Sequence, residues 1–431
     1  MSKLGFIKAR HLLARTGFGA EWEEVQRFQA FTLDQAVAFL MKNKDMSLPP
    51  VPNFSNWQKM SMLNRNMARR KMVMRIAKTE KRGLQAWWLQ HMLTTRSPFL
   101  ERMTLFWHNH FPSSVQKTKM ASLLVNQNRL LRKHALGNYG LMLREIAKDP
   151  AMLVYLDGYQ NRKGALNENF SRELLEIFTI GRGRYSERDV KEAARAFTGW
   201  TINHRGQFAF DRTQHDAGVK TFLGQRGRFH GDDIITILLK NPHTAKRLAE
   251  KLWHEFISVS RPHPAVIAQW SNILIRSNYN MSIMMQVILK SPQFWDPRNR
   301  GNLIKSPIEL AIGTLRSLPY SLPRNDLAHS LNNLGQGVFE HPNVKGWSGG
   351  HEWVSTHSLL RRTALLANLT RGNLNTRRRK SGVELRLPKV SNDQLRNWLL
   401  AIEPVKPIAH NMDSRQRYVR ELVLDPAYQV T

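Results

Sequence analysis

Apolar residues recur at helical spacing along most of this chain, and no other feature restricts its fold as strongly. Segments such as "SPFLERMTLFWHNHF" and "HTAKRLAEKLWHEFIS" carry an apolar stripe between polar residues, which is the pattern of amphipathic helices. The sequence therefore predicts a mainly α, multi-helix globular fold.

Two segments interrupt the helical pattern. Residues 201–230 contain short aromatic alternation and several glycines, which predicts a small β-hairpin or loop excursion. Residues 337–356, "GVFEHPNVKGWSGGHEWVST", are rich in Gly and Trp and are predicted to form a second loop, with a helix following near 357–370.

Capping signals and prolines give the limits of several helices. In the segment 97–112, a serine and then a proline predict a helix start, and a second proline predicts its end. A helix from about residue 168 to about 180 should end at Gly181. Ser306 and Glu309 fit a capping box, with a proline at the first helical position.

The formal charge of +32 is the strongest compositional feature. Such an excess favours polyanionic partners such as nucleic acid, an acidic glycan or anionic lipid, although a solvated basic surface is the alternative. Two segments concentrate the charge. Residues 59–82 interleave it with Met and Leu at helical spacing, and residues 371–389 are predicted to form an exposed loop.

Cysteine is absent, which excludes disulfides, thiolate metal sites and a cysteine nucleophile. Any metal would have to be bound by His, Asp, Glu or Asn. No uncharged apolar run reaches about eighteen residues, so no membrane-spanning helix is predicted. The first residues do not fit a secretory signal peptide, which leaves a cytoplasmic location or export after removal of a leader.

Polar side chains crowd the segment 156–183, "LDGYQNRKGALNENFSRELLEIFTIGRG". On an α-helix, Asn169, Glu173 and Glu176 would fall within about 60° of one another and form one polar ridge. The functional interpretation is a site that binds a divalent cation or acts as general acid and base. The structural interpretation is an ion-paired helix face with a capped start.

Four residues of this segment are candidates for function. Glu168 and Glu173 are the catalytic candidates, and Arg172 is a candidate for substrate binding because it could pair with carboxylates one turn away. Asp157, which a helix cap would not need, is a candidate metal ligand.

Histidines mark two further motifs. In "FWHNHF", His108 and His110 are candidate metal ligands if the helix ends there, because residues two apart on a helix point about 200° from each other. The alternative is that one histidine caps the helix end while the other packs. In "HDAGVKTFLG", His215 and Asp216 are catalytic candidates and Lys220 is a candidate for binding an anionic substrate. Turn chemistry is the alternative.

The motif "NVKGWSGGHEW" supplies Lys345 and Trp347 as candidates for substrate binding. Its glycines allow close backbone approach, and the tryptophan could stack on a sugar or a base. The alternative is a glycine turn held by a buried tryptophan. Signatures of serine hydrolases, zinc proteases, phosphate-binding loops and dinucleotide-binding folds are absent from the sequence.

Taken together, these motifs resemble a bacterial family called domain of unknown function 1800. The shared motifs, in chain order, are "HLLARTGFGA", "FWHNHF", "NENFSRELLEIFTIGRGRYSERDVKEAARAFTGW", "HDAGVKTFLG", "KLWHEF" and "NVKGWSGGHEW". Ser348 departs from the family, which more often has proline there, and this affects loop stiffness rather than chemistry.

The resemblance implies one helical domain over residues 1–370, with 1–150 and 151–370 as subdomains. Residues 371–431 would add a basic loop and a helical tail. It also implies a sulfatase-like partner protein, but it assigns no reaction.

Two functions fit these features. The first is a metal-assisted hydrolase or transferase acting on an anionic or glycan substrate, with the three polar motifs converging in one cleft around a divalent ion. The second is a scaffold that binds an anionic polymer (glycan or nucleic acid) or assembles with partners, in which the motifs are hydrogen-bond networks between helices.

Overall fold

The computed structural model describes residues 2–42, 45–60, 69–318, 324–371, 387–409 and 414–431. Their structure is mainly helical, which confirms the predicted fold class. The basic segment 371–389 lies almost wholly outside the described residues, and so does part of the basic segment 59–82.

The helices are numbered in chain order. The first are α1 (Gly5–Thr16), α2 (Trp22–Gln29), α3 (Leu33–Lys42), α4 (Arg70–Thr94), α5 (Pro98–His110), α6 (Val115–Thr118) and α7 (Ala121–His134). They are followed by α8 (Tyr139–Ala147), α9 (Pro150–Tyr155), α10 (Asn169–Glu173), α11 (Glu187–Ala196), α12 (Gly231–Lys240), α13 (Pro242–Phe256), α14 (Pro264–Arg276), α15 (Met281–Lys290) and α16 (Pro292–Trp295). The last are α17 (Pro307–Ser317), α18 (Arg324–Asn333), α19 (Thr356–Arg371), α20 (Asn392–Leu399) and α21 (Arg415–Leu424).

The excursion predicted for residues 201–230 consists of two antiparallel hairpins. Strand β1 (Trp200–Ile202) pairs with β2 (Phe208–Phe210), with Thr201 opposite Ala209. Strand β3 (Lys220–Phe222) pairs with β4 (Gln225–Gly227), with Thr221 opposite Arg226. The Gly- and Trp-rich segment 337–356 is irregular apart from the 3-10 turn Gly350–Trp353, as predicted.

One predicted helix has a different form. The segment expected to be α-helical from about 168 to 180 is α-helical only over Asn169–Glu173 and continues as a π-helix over Leu174–Phe178. A π-turn has a wider hydrogen-bond ring than an α-helix, so the angular spacing assumed for the polar ridge does not hold beyond Glu173. The 100° spacing that placed Glu176 within about 60° of Asn169 therefore applies only as far as Glu173.

Two other helix starts agree with the sequence. The capping box at α17 is present, with the Ser306 N–H donating to Glu309 Oε2 over 2.8 Å and the Glu309 N–H donating to Ser306 Oγ over 3.3 Å. Helix α5 begins at Pro98 as predicted, but Ser97 does not cap it with its side chain. The Ser97 hydroxyl instead accepts the Asp45 N–H over 2.8 Å.

Helix α5 lies between the two apolar clusters that form the core. It contributes Met103 and Trp107 to the larger cluster and Leu105 to the smaller one, which also contains residues of α4, α17 and α18. All residues of α5 except Asn109 are buried. A helix enclosed on all sides exposes its polar residues only where neighbouring helices leave a gap, so a polar residue of α5 that reaches solvent marks such a gap.

The C-terminal residues pack on the main body. A backbone bridge joins the segment at Leu303 to Thr431, with N–H to carbonyl distances of 3.4 and 2.9 Å. Arg10 of α1 donates to the Trp398 carbonyl of α20 over 3.3 Å. The division into a main domain and a separate tail stays a prediction.

Candidate functional site

A cleft of about 580 Å³ opens beside the buried helix α5. Most of its polar lining comes from four elements: α5, α13, the start of α17 and the Gly- and Trp-rich loop. The side chains that line it include Arg102, His110, Lys251, Glu255, Glu309 and Trp353. A concave site in which several ionisable groups converge is the usual form of an enzyme or ligand site.

Arg102 joins two glutamates on the wall of this cleft. Its Nη2 lies 2.7 Å from Glu255 Oε1, and its Nη1 lies 2.8 Å from Glu309 Oε1. One guanidinium thus holds a carboxyl group from α13 and another from α17, since its planar nitrogens can bond on both sides. The capping box at Ser306 fixes the second carboxylate further.

The two carboxyl groups differ in their pKa. Burial raises the pKa of Glu255, and Glu309 adds to the shift while Arg102 opposes it. Burial also acts to raise the pKa of Glu309, but Arg102 and the N–H of Ser306 outweigh it, so that pKa is lowered. Two neighbouring carboxyl groups with opposite pKa shifts are suited to opposite roles in proton transfer.

A second ionisable pair lies on the same wall. Lys251 Nζ lies 2.7 Å from His110 Nδ1. Burial, together with the nearby Arg247, lowers the pKa of Lys251 to about 7. Burial and then the charge of Lys251 lower the pKa of His110 well below its ordinary value. Because both groups are cationic when protonated, the pair favours holding a single proton near neutral pH.

Asn109 of "FWHNHF" positions the loop on the other side of the cleft. Its Oδ1 accepts the Trp347 N–H over 2.7 Å. Within the loop, Asn343 Oδ1 accepts the Lys345 N–H over 2.8 Å and forms an Asx turn. Gly346 has φ of 84°, and a Cβ atom there would collide with Asn109. The glycine of this motif is therefore required by the close approach of the loop to α5.

Three of the residues predicted from the sequence line this cleft: His110, Lys345 and Trp347. Trp347 is only 5% exposed, which agrees with the alternative of a buried tryptophan holding a glycine turn. Trp353, at the end of the same motif, is partly exposed and more available to a ligand.

The two histidines of "FWHNHF" face different surroundings. The helix continues through His110, so the predicted common metal site at a frayed end does not form. His108 is fully buried, and its Nε2 accepts the Phe339 N–H over 3.2 Å. Its ring lies 4.4 Å from that of His341, and burial lowers its pKa well below the ordinary value.

The residues around α10 form a separate, mostly ion-paired surface. Arg172 lies 2.7 Å from Glu187 and 3.4 Å from Glu168. Asp157 pairs with Lys117 over 2.7 Å. Burial raises the pKa of Glu173, with Glu176 adding to the shift and Arg172 and Lys345 opposing it. Glu168 and Arg172 thus match the ion-paired alternative, while Glu173 is linked to the cleft through the charge of Lys345.

The "HDAGVKTFLG" loop is engaged with α11. Asp216 Oδ2 lies 2.7 Å from Arg195 Nε, and this bond lowers the pKa of Asp216 to about 2. Lys220 donates to the Asp216 carbonyl over 2.5 Å. His215 is buried and stacks on His230 with 4.6 Å between ring centres. None of the three lines the cleft, so the predicted convergence of the three motifs is not observed.

Sequence reasoning missed four residues of the cleft: Arg102, Lys251, Glu255 and Glu309. Their signal was a charged residue inside an otherwise apolar helix, as in "PIELAIG", and a spacing of four residues in "KLWHEF". Within the described residues, no three His, Asp or Glu side chains are grouped as metal ligands would be.

The fold and cleft define a mainly α protein with a charged cleft between packed helices. A family model described as "Protein of unknown function (DUF1800)" matches residues 11–430, and the chain belongs to this family. No curated protein and no solved structure matches the chain. No described helix combines the length and apolar character needed to span a membrane.

Proposed function

We propose that the cleft is the active site of a hydrolase or transferase that acts on a glycan, and that its carboxyl groups perform the acid–base chemistry. The observation that carries this proposal is the pair Glu255 and Glu309, held by Arg102 with opposite pKa shifts. Glycoside hydrolysis uses two carboxyl groups in this way, one protonated and one ionised.

In this proposal Glu255 is the general acid. Its raised pKa keeps a larger fraction of the carboxyl group protonated, and its side chain is 29% exposed towards the cleft. Glu309 stays ionised and acts as the base or stabilises developing positive charge. Arg102 is a positioning residue, because it fixes both carboxyl groups relative to each other.

The remaining lining suits an anionic sugar. Lys251 and Lys345 supply cationic groups for an acidic substituent, and Trp353 supplies an aromatic face for a sugar ring. The Lys251–His110 pair can also accept or release a proton near neutral pH. The divalent metal predicted from the sequence is not needed for these steps.

The test compares Glu255→Gln with Glu352→Gln, which removes an exposed carboxylate lining the same cleft. The measurement is the release of reducing ends from a panel of acidic polysaccharides, with thermal unfolding as the check on folding. Glu255→Gln should lower the rate by about 10²–10⁴-fold, while Glu352→Gln should stay close to wild type. Equal activity of Glu255→Gln and wild type would overturn the acid–base role.

A further inference from the structure

A second cleft, of about 880 Å³, runs along helix α13 and joins the first. Lys251 and His254 line both clefts. The second cleft is therefore an extension of the candidate active site rather than a separate pocket.

One face of α13 forms the floor of this extension. His243, Lys246, Arg247, Lys251 and His254 all line it. At 100° per residue these five positions fall within an arc of about 140°, so a single face of the helix carries them. The eleven residue-to-residue steps from His243 to His254 correspond to about 16 Å of helix. Arg261, from the loop after α13, adds a further cation.

Lys246, Arg247 and Arg261 supply the positive charge of this extension, since burial lowers the pKa of Lys251 to about 7 and lowers that of His243 as well. These three cations have few counter-charges. Within the described residues, no ion pair within 4.0 Å joins Lys246, Arg247 or Arg261 to a carboxylate. Glu250 is the one acidic side chain among the described residues that line the extension. Arg102, in the first cleft, has two carboxylate partners. A row of unneutralised cations in a concave surface focuses positive potential and attracts an anionic ligand.

We propose that the two clefts form one groove for an extended acidic glycan, whose anionic groups lie along α13 and whose reacting end reaches Glu255. This inference rests on the proposed function, because it names the substrate class of the same site. The groove's length and its several cations favour a chain with repeated charges over a single small anion.

The nature of the lining favours a glycan over a nucleic acid. Proteins that bind single-stranded nucleic acid provide aromatic side chains on which successive bases stack. Among the described residues, no Phe, Tyr or Trp lines the extension, whose apolar lining includes Pro262, Pro264 and Ile267. Aromatic lining is confined to the first cleft, where Trp353 meets the reacting end.

The experiment measures binding, so that it does not depend on catalysis. The probes are oligogalacturonates of two and ten sugars, a heparin decasaccharide, and single-stranded oligo(dT) of ten nucleotides. The groove variant combines Lys246→Ala with Arg261→Ala. The matched control combines Lys163→Ala with Arg226→Ala, which removes one exposed Lys and one exposed Arg outside both clefts.

Wild type should bind at least one of the two acidic decasaccharides more tightly than it binds the two-sugar probe or oligo(dT). The groove variant should lower the affinity for that decamer about tenfold or more and reduce the salt dependence of binding. The control variant should change the affinity less than about twofold. Failure of both decamers to bind, equal weakening by the control, or tighter binding of oligo(dT) would each overturn the proposal.

Glu255→Gln separates this proposal from the proposed function. It leaves Lys246 and Arg261 in place and should still bind the decamer more tightly than the dimer. Normal decamer binding combined with full activity of Glu255→Gln would overturn the acid–base role alone. Loss of activity in Glu255→Gln, with no effect of the groove variant on decamer binding, would overturn the groove alone.

Discussion

Glu101 and Arg102 are neighbours on helix α5, yet they belong to two different ion-pair networks. Glu101 lies in an inner network, where Arg132 Nε donates to its Oε2 over 3.0 Å and Arg132 Nη2 to its Oε1 over 2.5 Å. His91 Nε2 lies 3.0 Å from the same carboxylate, and Trp88 donates to it as well. Arg102 lies in the outer network, with Glu255 and Glu309 at the cleft.

The two networks differ in access to solvent and in proton affinity. Glu101 is 1% exposed, whereas Glu255 is 29% exposed. Burial alone would raise the pKa of Glu101, but Arg132 and His91 lower it to about 2, so it stays ionised. Glu255 has a raised pKa and is accessible from the cleft. Two features distinguish the candidate site from a structural ion pair: its carboxyl groups face a cleft, and their pKa values are shifted in opposite directions. The density of charge does not distinguish them.

The largest expected effect comes from breaking the inner network. Glu101→Gln should lower the free energy of unfolding by about 3–5 kcal/mol, because it leaves the Arg132 guanidinium buried without a counter-charge. Urea denaturation at pH 7 measures this. Glu255→Gln is the control, and it should lose less than about 1 kcal/mol because its carboxyl group is partly exposed. Equal losses would mean that the outer network is structural too.

The pH dependence of stability should show the same contrast. The folded pKa of Glu101 is about 2 and its unfolded pKa is about 4.3, so the unfolded state binds more protons between these values. The stability it contributes is complete above about pH 4.3 and is lost as the pH falls towards 2, by about 3 kcal/mol in total. The difference in the free energy of unfolding between wild type and Glu101→Gln should decrease by about this amount from pH 6 to pH 2. Unfolding curves at four pH values test it, and a constant difference would refute it.

The elements could be predicted from the sequence because local signals set them. The capping box at Ser306 and the proline at the start of α5 needed no tertiary information. The π-helix after Glu173 could not be predicted, because a local α-helical pattern does not show where packing makes a helix widen.

The candidate site was only partly predictable. His110, Lys345 and Trp347 were identified because their motifs are dense in polar, Gly and Trp residues. Arg102, Glu255 and Glu309 lie on three helices that are far apart in the chain, and no local pattern distinguishes them from other charged helix residues. Conversely, the sequence predicted Asp216 as a catalytic candidate, but its carboxylate pairs with Arg195. Local density of polar residues does not distinguish satisfied pairs from pairs that face a cleft.

The smallest expected effect concerns Lys251, whose charged form destabilises the fold, whereas the charged form of Glu101 stabilises it. Its folded pKa of about 7 lies below its unfolded pKa of about 10.4, so the unfolded state binds more protons between these values. The free energy of unfolding therefore rises with pH across this window. Below pH 7 the amine is protonated in both states, and the free-energy cost of burying its charge is then at its maximum.

Lys251→Met removes this cost and should stabilise the protein at pH 6 by about 1 kcal/mol. This figure allows for the partial exposure of the lysine and for the lost hydrogen bond to His110. The gain should disappear as the pH approaches 10, as measured by urea denaturation. Lys246→Met, at an exposed position of the same helix, is the control variant. A residue that costs stability while facing a cleft is expected of a functional site, so a destabilised Lys251→Met at pH 6 would place the lysine with the structural residues of the inner network.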